Sequence, residues 1–493
     1  MASAAGSDIA ASVSVRRIGL VAGPVILLVM LMTAPLGGLS TRAWAAAAVG
    51  AMMAVWWMTE AVPLAATALL PLVLFPLLGL ASIETAAQSY ADPLIFLFLG
   101  GFMLAKAMER WRLHRRLALL AVRVAGDGPR TQVLAVMVVT AFLSMWVSNT
   151  ATAMVMLPIG QALAAGLHGR DERVGEEANG DFAAALLLGI AFAATIGGMG
   201  TLIGTPPNAL FAGLMQKTYG VRIGFAEWMA IGIPVVLVLL PAAWLVLTRV
   251  ALRVPATFSD ATTSADGVRL LERPGPLSRG EIMVGVILTL TALAWLLRPL
   301  ITSRWPGLPL SDAGIAMLAA VALFAAPVSW TRCEFLLDWS DVAGLRWDVL
   351  ILFGGGLALA GVISTSGLAA AIGEAMSGLK GLPRPLLVLV LMATIVYLGE
   401  LASNTAMAAV FLPVAGAAAI GMGADPLSLT LPVVLAASLG FMLPVATPPN
   451  AIVYGSGLVS AGQMMRAGAY LDVISIGLVA IVALTLAPLV LPG

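Results

Sequence analysis

The chain has 493 residues, of which 60% are hydrophobic and only 10% charged, with a formal net charge of +1. Water-soluble domains carry about 25% charged residues, so this composition, with a mean hydropathy of +1.02, describes a polytopic membrane protein. The near-zero charge excludes a charge-driven partner such as nucleic acid, and the single cysteine, Cys333, excludes a disulfide framework or a thiolate metal site. His114 and His168 are read in charged loops, and neither has a partner at metal-ligand spacing.

The opening stretch "RRIGLVAGPVILLVMLMTAPLGGLSTRAWA" admits two readings, a signal peptide ending at "AWA" or a first span. Its apolar core is long enough to cross a membrane, which favours the span. Windows of about 20 apolar residues then place eleven spans near 17–36, 43–58, 62–81, 92–108, 182–216, 229–249, 281–300, 312–328, 347–364, 428–458 and 469–491. The long polar stretch 253–281 reads as a linker between two halves. Most Lys and Arg fall on the side of Arg16 and Arg17, which places the N-terminus in the cytoplasm.

Two further apolar runs, 131–167 and 384–421, carry "SNTAT" at 148–152 and "SNTAM" at 403–407. A run of about 36 residues would make roughly 54 Å of helix, far more than a bilayer core needs. The charge bias also requires each run to enter and leave on one side. Each is therefore a hairpin, and a tip made only of Ser, Asn and Thr, which are good helix N-caps, favours re-entry over a full crossing. Irregular backbone at depth must be buried in protein or line a wet cavity.

"FLFLGGFMLAKA" at 96–107 matches "ILFGGGLALAGV" at 351–362, and the two SNT triplets share the same offset of 255. "GTPPNALF" at 204–211 matches "ATPPNAIV" at 446–453 with an offset of 242, the difference falling in the charged loop after the first triplet. An odd number of crossings between the copies turns the second upside down, an architecture of transporters with broken helices and a mid-membrane site. The paired prolines should unwind 182–216 and 428–458. Two inverted tips then meet near the bilayer centre, where helix starts suit an anion and unwound carbonyls suit a hard cation. Neither the triplets nor the TPPN segments hold a basic side chain, so an anion there would draw its countercharge from dipoles and bound cations. Glu60 and Glu400 each read either as a coupling carboxylate or as a cap. Lys106 is expected to snorkel at a span end, and "RWRLHRR" to form an interfacial amphipathic helix. An intramembrane enzyme is disfavoured by the lack of HExxH or GxSxG, and a channel by the lack of a TVGYG-like filter.

With "SNTATAMVMLP", "ELASNTAMAAVFLP", "TEAVPLAATALLP", "GGFMLAKAMERWRLHRRLAL" and "ASLGFMLPVATPPNAIVYG", the chain resembles the divalent anion/sodium symporter family over nearly its whole length after about residue 45. The resemblance implies an all-α membrane fold with eleven spans, two re-entrant hairpins, a homodimer of scaffold and transport domains, and elevator movement. Scaffold spans would occupy 1–91 and 282–346. The first repeat would cover 92–252 and the second 347–493, joined through a cytoplasmic linker at 253–281.

The family's substrates imply sodium-coupled symport of a C4-dicarboxylate; a sodium-independent exchanger and a sulfate or citrate symporter stay open. The substrate would meet Ser148, Asn149 and Thr150, Ser403, Asn404 and Thr405, with Pro206 and Pro448 beside them. One sodium would use Ser144, Ser148, Asn149 and the Gly204 carbonyl, and a second Ala402, Asn404 and the Ala446 carbonyl. Met407 and Gly399 stand where the family usually and often, respectively, has Thr, which bears on the second sodium. The setting implied is a bacterial plasma membrane, with lipid as the other partner.

Overall fold

The computed structural model describes residues 2–124, 128–165, 176–256, 275–376, 378 and 381–490. His168 and most of the linker, 257–274, lie outside the described residues. The chain begins with α1 (Ala2–Met32) and α2 (Thr41–Thr59), which pack together. The Ser40 hydroxyl starts α2 by accepting the Ala43 amide at 3.1 Å. Glu60, in a left-handed conformation with φ 45°, ends it.

The window 62–81, read as one span, is divided. Pro63, which fixes its own φ, precedes α3 (Leu64–Thr67), and α4 (Leu70–Leu77) stops before Gly79, whose φ is 65°. Next come α5 (Ile83–Gln88), a 3-10 turn at Ser89–Ala91, and α6 (Pro93–Arg110). Asp92 caps α6 through the Leu94 amide at 3.0 Å. In α7 (Leu113–Val124) lies His114, which is buried and has Nδ1 3.0 Å from the Met108 carbonyl, not in a loop as the sequence suggested.

Each triplet-bearing run folds as two helices joined by a short turn: α8 (Pro129–Ser144) and α9 (Asn149–Ala165) in the first half. The TPPN-bearing window is broken into α10 (Glu176–Gly198) and α11 (Pro206–Tyr219). After them come α12 (Phe225–Leu245), continued by a π turn at Val246–Ala251, then α13 (Arg279–Arg304) and α14 (Asp312–Ala325). The Ser278–Glu281 capping box starts α13, and Arg298 within it binds Asp312 at 2.6 Å, tying α13 to α14.

Sequence patterning gave no sign of the small antiparallel pair β1 (Pro327–Ser329) and β2 (Glu334–Phe335), too short to show a two-residue period. The rest of the chain forms α15 (Trp339–Val342), α16 (Trp347–Thr365) and α17 (Leu368–Met376). The second triplet joins α18 (Arg384–Gly399) to α19 (Asn404–Gly421), and the second TPPN separates α20 (Leu427–Ala436) from α21 (Pro448–Gly455). The described chain closes with α22 (Ala461–Thr485) and α23 (Ala487–Val490).

Among the described residues, eight helical stretches are long and apolar enough to cross a membrane. The protein is an integral membrane protein, almost entirely helical. Its two halves interlock: α11 packs on α19 and α20, while α21 packs on α9 and α10. Close approach is built in where helices meet. A Cβ on Gly197 would strike the backbone of Ala141 in α8, and one on Gly232 would come within 2.5 Å of the Met199 carbonyl.

Candidate substrate and cation site

Four helices begin at one cavity of about 780 Å³. Its wall carries Ser148, Asn149 and Thr150 at the start of α9, and Ser403, Asn404 and Thr405 at the start of α19. Gly204, Thr205 and Pro206 line it at the start of α11, and Ala446, Thr447 and Pro448 at the start of α21, with Ala402 beside the second triplet. Ser144 does not line the cavity; it is fully buried behind Asn149.

The geometry of the two unwound segments repeats with the sequence offset of 242. Asn208 Nδ2 donates to the Gly198 and Thr201 carbonyls at 3.2 and 2.8 Å. Asn450 Nδ2 donates to the Gly440 and Leu443 carbonyls at 3.4 and 3.1 Å. Both asparagines are fully buried, so each holds the bend open by satisfying carbonyls that a continuous helix would have satisfied itself. Sequence reasoning used the prolines of TPPN and overlooked its Asn, although the repeat contained it twice.

The prolines also sort the helix starts. Pro occupies the first two positions of α11 and α21, and Pro has no N–H to offer. These two ends contribute field alone, whereas α9 and α19 present free amides as well. Ser148 takes one of them, accepting the Ala151 amide at 3.3 Å; Ser403 makes no such cap.

Each hairpin tip is tied to its own broken helix by a different device. In the first half, Thr201 Oγ1 donates to the Met145 carbonyl at 2.6 Å. In the second, the equivalent of Met145 is Glu400, and its side chain takes over. Oε1 accepts the Phe441 and Met442 amides at 2.7 and 3.0 Å, and Oε2 the Leu443 amide at 2.8 Å. Glu400 is therefore a cap for the unwound stretch, buried and outside the cavity lining.

The oxygens near the tips fit a hard cation. With its amide in the present orientation, Asn149 Oδ1 lies 2.7 Å from Ser144 Oγ, which is also 2.6 Å from the Ala194 carbonyl. One hydroxyl proton serves one acceptor at a time, so lone pairs are left over, as oxygen-seeking cations prefer. The second half has Gly399 where the first has Ser144, and Asn404 Oδ1 is buried with no protein partner. An unmade bond of that kind costs about 1–3 kcal/mol, and a bound cation would remove the cost.

Two basic side chains that the sequence did not bring to the site stand on its wall. Arg16 pairs with Glu60 at 3.2 Å, and Arg346 with Asp348 at 3.0 Å; all four are partly exposed. Glu60 thus sits at the rim in an ion pair. Lys106, in α6, pairs with Glu109 at 3.2 Å.

The family model described as the sodium:sulfate symporter transmembrane region matches residues 14–491. The chain belongs to this family. Two of its curated relatives carry the name sodium-dependent dicarboxylate transporter SdcS. The protein from Staphylococcus saprophyticus is 39% identical over 97% of this chain and 92% of its own length. That from Staphylococcus aureus is 40% identical with the same coverage. Two solved transporter structures share the fold alone. The Alcanivorax borkumensis YdaH transporter gives a TM-score of 0.54 at 15% identity, over 83% of this chain and 89% of that one. Neisseria gonorrhoeae MtrF gives 0.55 at 13%, over 81% and 83%. Membership of a symporter family accords with a site built from helix ends and oxygens.

Proposed function

We propose that the chain is a secondary transporter of the plasma membrane that couples sodium to the uptake of C4-dicarboxylates such as succinate, malate and fumarate. The observation that carries this reading is the meeting of Asn149 and Asn404, equivalent under the repeat, on the wall of one cavity among four helix starts. Each start carries roughly half a positive charge, so together they balance about one dianion. The names of the two relatives favour dicarboxylate over sulfate or citrate.

Ser148, Asn149, Thr150, Ser403, Asn404 and Thr405 bind the carboxylates, flanked by Pro206 and Pro448. One sodium sits with Ser144, Ser148, Asn149 and Gly204, and another with Ala402, Asn404 and Ala446. Both hairpins are re-entrant. The repeats at 92–252 and 347–493 contribute their tips and broken helices to a moving body, against a scaffold formed by 1–91 and 282–346. The assembly is a homodimer with its N-terminus in the cytoplasm, and the body carries the site across as an elevator.

A sodium-independent exchanger is the second reading, and Gly399 favours it by denying the second cation the buried hydroxyl that Ser144 gives the first. Labelled succinate uptake into proteoliposomes separates the two. Sodium symport gives higher succinate affinity in sodium than in choline and, by reciprocity, higher sodium affinity with succinate present. Equal affinities, with brisk succinate–succinate exchange in choline, would establish the exchanger.

A further inference from the structure

A second cavity, of about 570 Å³, lies at the other ends of α6, α11 and α16, and shares no lining residue with the first. At 1.5 Å per residue, Lys217 on its wall stands about 16 Å beyond Pro206 along α11. Gly361 stands about 18 Å beyond Val349 along α16 by the same measure. Between the cavities lies an apolar layer in which Leu210, Leu214, Leu357 and Leu412 surround a void of about 10 Å³, at the lower limit for one water.

The second cavity is polar where the layer is not. Lys217 donates to the Ser89 hydroxyl. Gln88, Gln216 and Ser364 add donors, and Thr218 has a buried hydroxyl with no protein partner, whereas the Thr365 hydroxyl donates to the Gly361 carbonyl at 2.9 Å. The one carboxylate on the wall, Asp92, has Oδ1 engaged in capping α6, and its negative charge also acts on Lys217, so an incoming carboxylate competes with it for the ammonium. Lys217 is the only basic side chain among the described lining residues.

We propose that this cavity is the capture site for the small carboxylate on the side of the membrane away from the open central cavity, with the Lys217 ammonium as its anion-binding group. The inference rests on the proposed function. α11 carries both Pro206 and Lys217, so a rigid displacement of this helix keeps the ammonium about 16 Å ahead of the site, by the helical rise. The ammonium therefore stays on the far side of the site as the body moves, while the wall at 75–91 stays with the scaffold. A charge so placed raises the local concentration of a dianion and its rate of entry, and does so from one side only.

The test is sided kinetics with labelled succinate in right-side-out and inside-out vesicles. Cys333, the only cysteine, reports orientation. It is exposed, in the turn between β1 and β2, at the end of α6 remote from this cavity, and an impermeant maleimide reaches it from one side. Lys217→Gln should raise the far-side KM by about fivefold or more, as expected for a steering charge, leaving kcat and the near-side KM in place. The difference should shrink as salt shortens the Debye length below about 10 Å, and Lys217→Arg should restore the far-side value. Equal KM changes on both sides, a fall in kcat alone, or no change would overturn the capture site. Wild-type vesicles that take up no succinate from either side would instead overturn the proposed function.

Discussion

Asn149→Ala and Asn404→Ala should each abolish succinate uptake in protein that still purifies as a folded, monodisperse species. The two substitutions differ in what they remove from the protein itself. Asn149 Oδ1 shares the Ser144 hydroxyl, which keeps the Ala194 carbonyl as a partner at 2.6 Å when the amide is gone. Asn404 Oδ1 has no protein partner to lose. Neither change should cost much stability, whereas each deletes an amide from the wall of the cavity. A lost polar contact to a charged ligand is worth about 1–3 kcal/mol, or roughly five- to 150-fold in affinity, before any effect on sodium. Both sites must fail for the proposal to hold. Normal uptake by either purified variant would show that the two tips do not serve one site.

Glu400 should give the largest loss of stability. Its carboxylate accepts three backbone amides of the unwound stretch between α20 and α21. Glu400→Ala leaves all three unpaired in a buried setting, at about 1–3 kcal/mol each. A sum on the order of 3–5 kcal/mol, allowing for relaxation, would consume much of the stability of an ordinary domain. Glu400→Gln should fall between, because its one carbonyl oxygen can replace Oε1, which serves Phe441 and Met442, but not Oε2. The check is thermal stability in detergent, read as the loss of the monodisperse peak. The expected order is wild type above Gln above Ala, with uptake falling in the same order. A Glu400→Ala variant as stable as wild type but inactive would mean that this carboxylate acts in coupling rather than as a cap.

The repeat was legible because it is written in residue identity: two SNT triplets, two TPPN segments and two glycine-rich helices at fixed offsets. The helix breaks followed from proline chemistry, which is local. What escaped was non-local. Glu400 left two readings open, since nothing in its neighbourhood in sequence says that residues 441–443 lie against it. Arg16 and Arg346 approach the cavity only through tertiary packing of α1 and α16, so the sequence could not count them there. The prolines drew attention to the TPPN breaks but not to their polarity. Two helix starts were expected to face the anion, and the structure brings four to the cavity, because the back halves α11 and α21 begin at the same level as α9 and α19. The division at 64–77 was hidden by uniform hydrophobicity, and β1 and β2 by their length.

The apolar layer between the two cavities has an electrical consequence. Along α11 the two cavities are separated from Pro206 to Gln216, about 15 Å of helix, against roughly 30 Å for the hydrocarbon core. Cavities that admit water on both sides bring the bulk potentials up to its two faces, so most of the membrane voltage falls across that stretch. An ion that crosses it collects nearly the full 2.3 kcal/mol or so per charge per 100 mV without travelling the width of the bilayer. Voltage dependence should therefore reside in the single movement of the body that shifts the site from one bulk potential to the other, while binding from either side proceeds at almost constant potential.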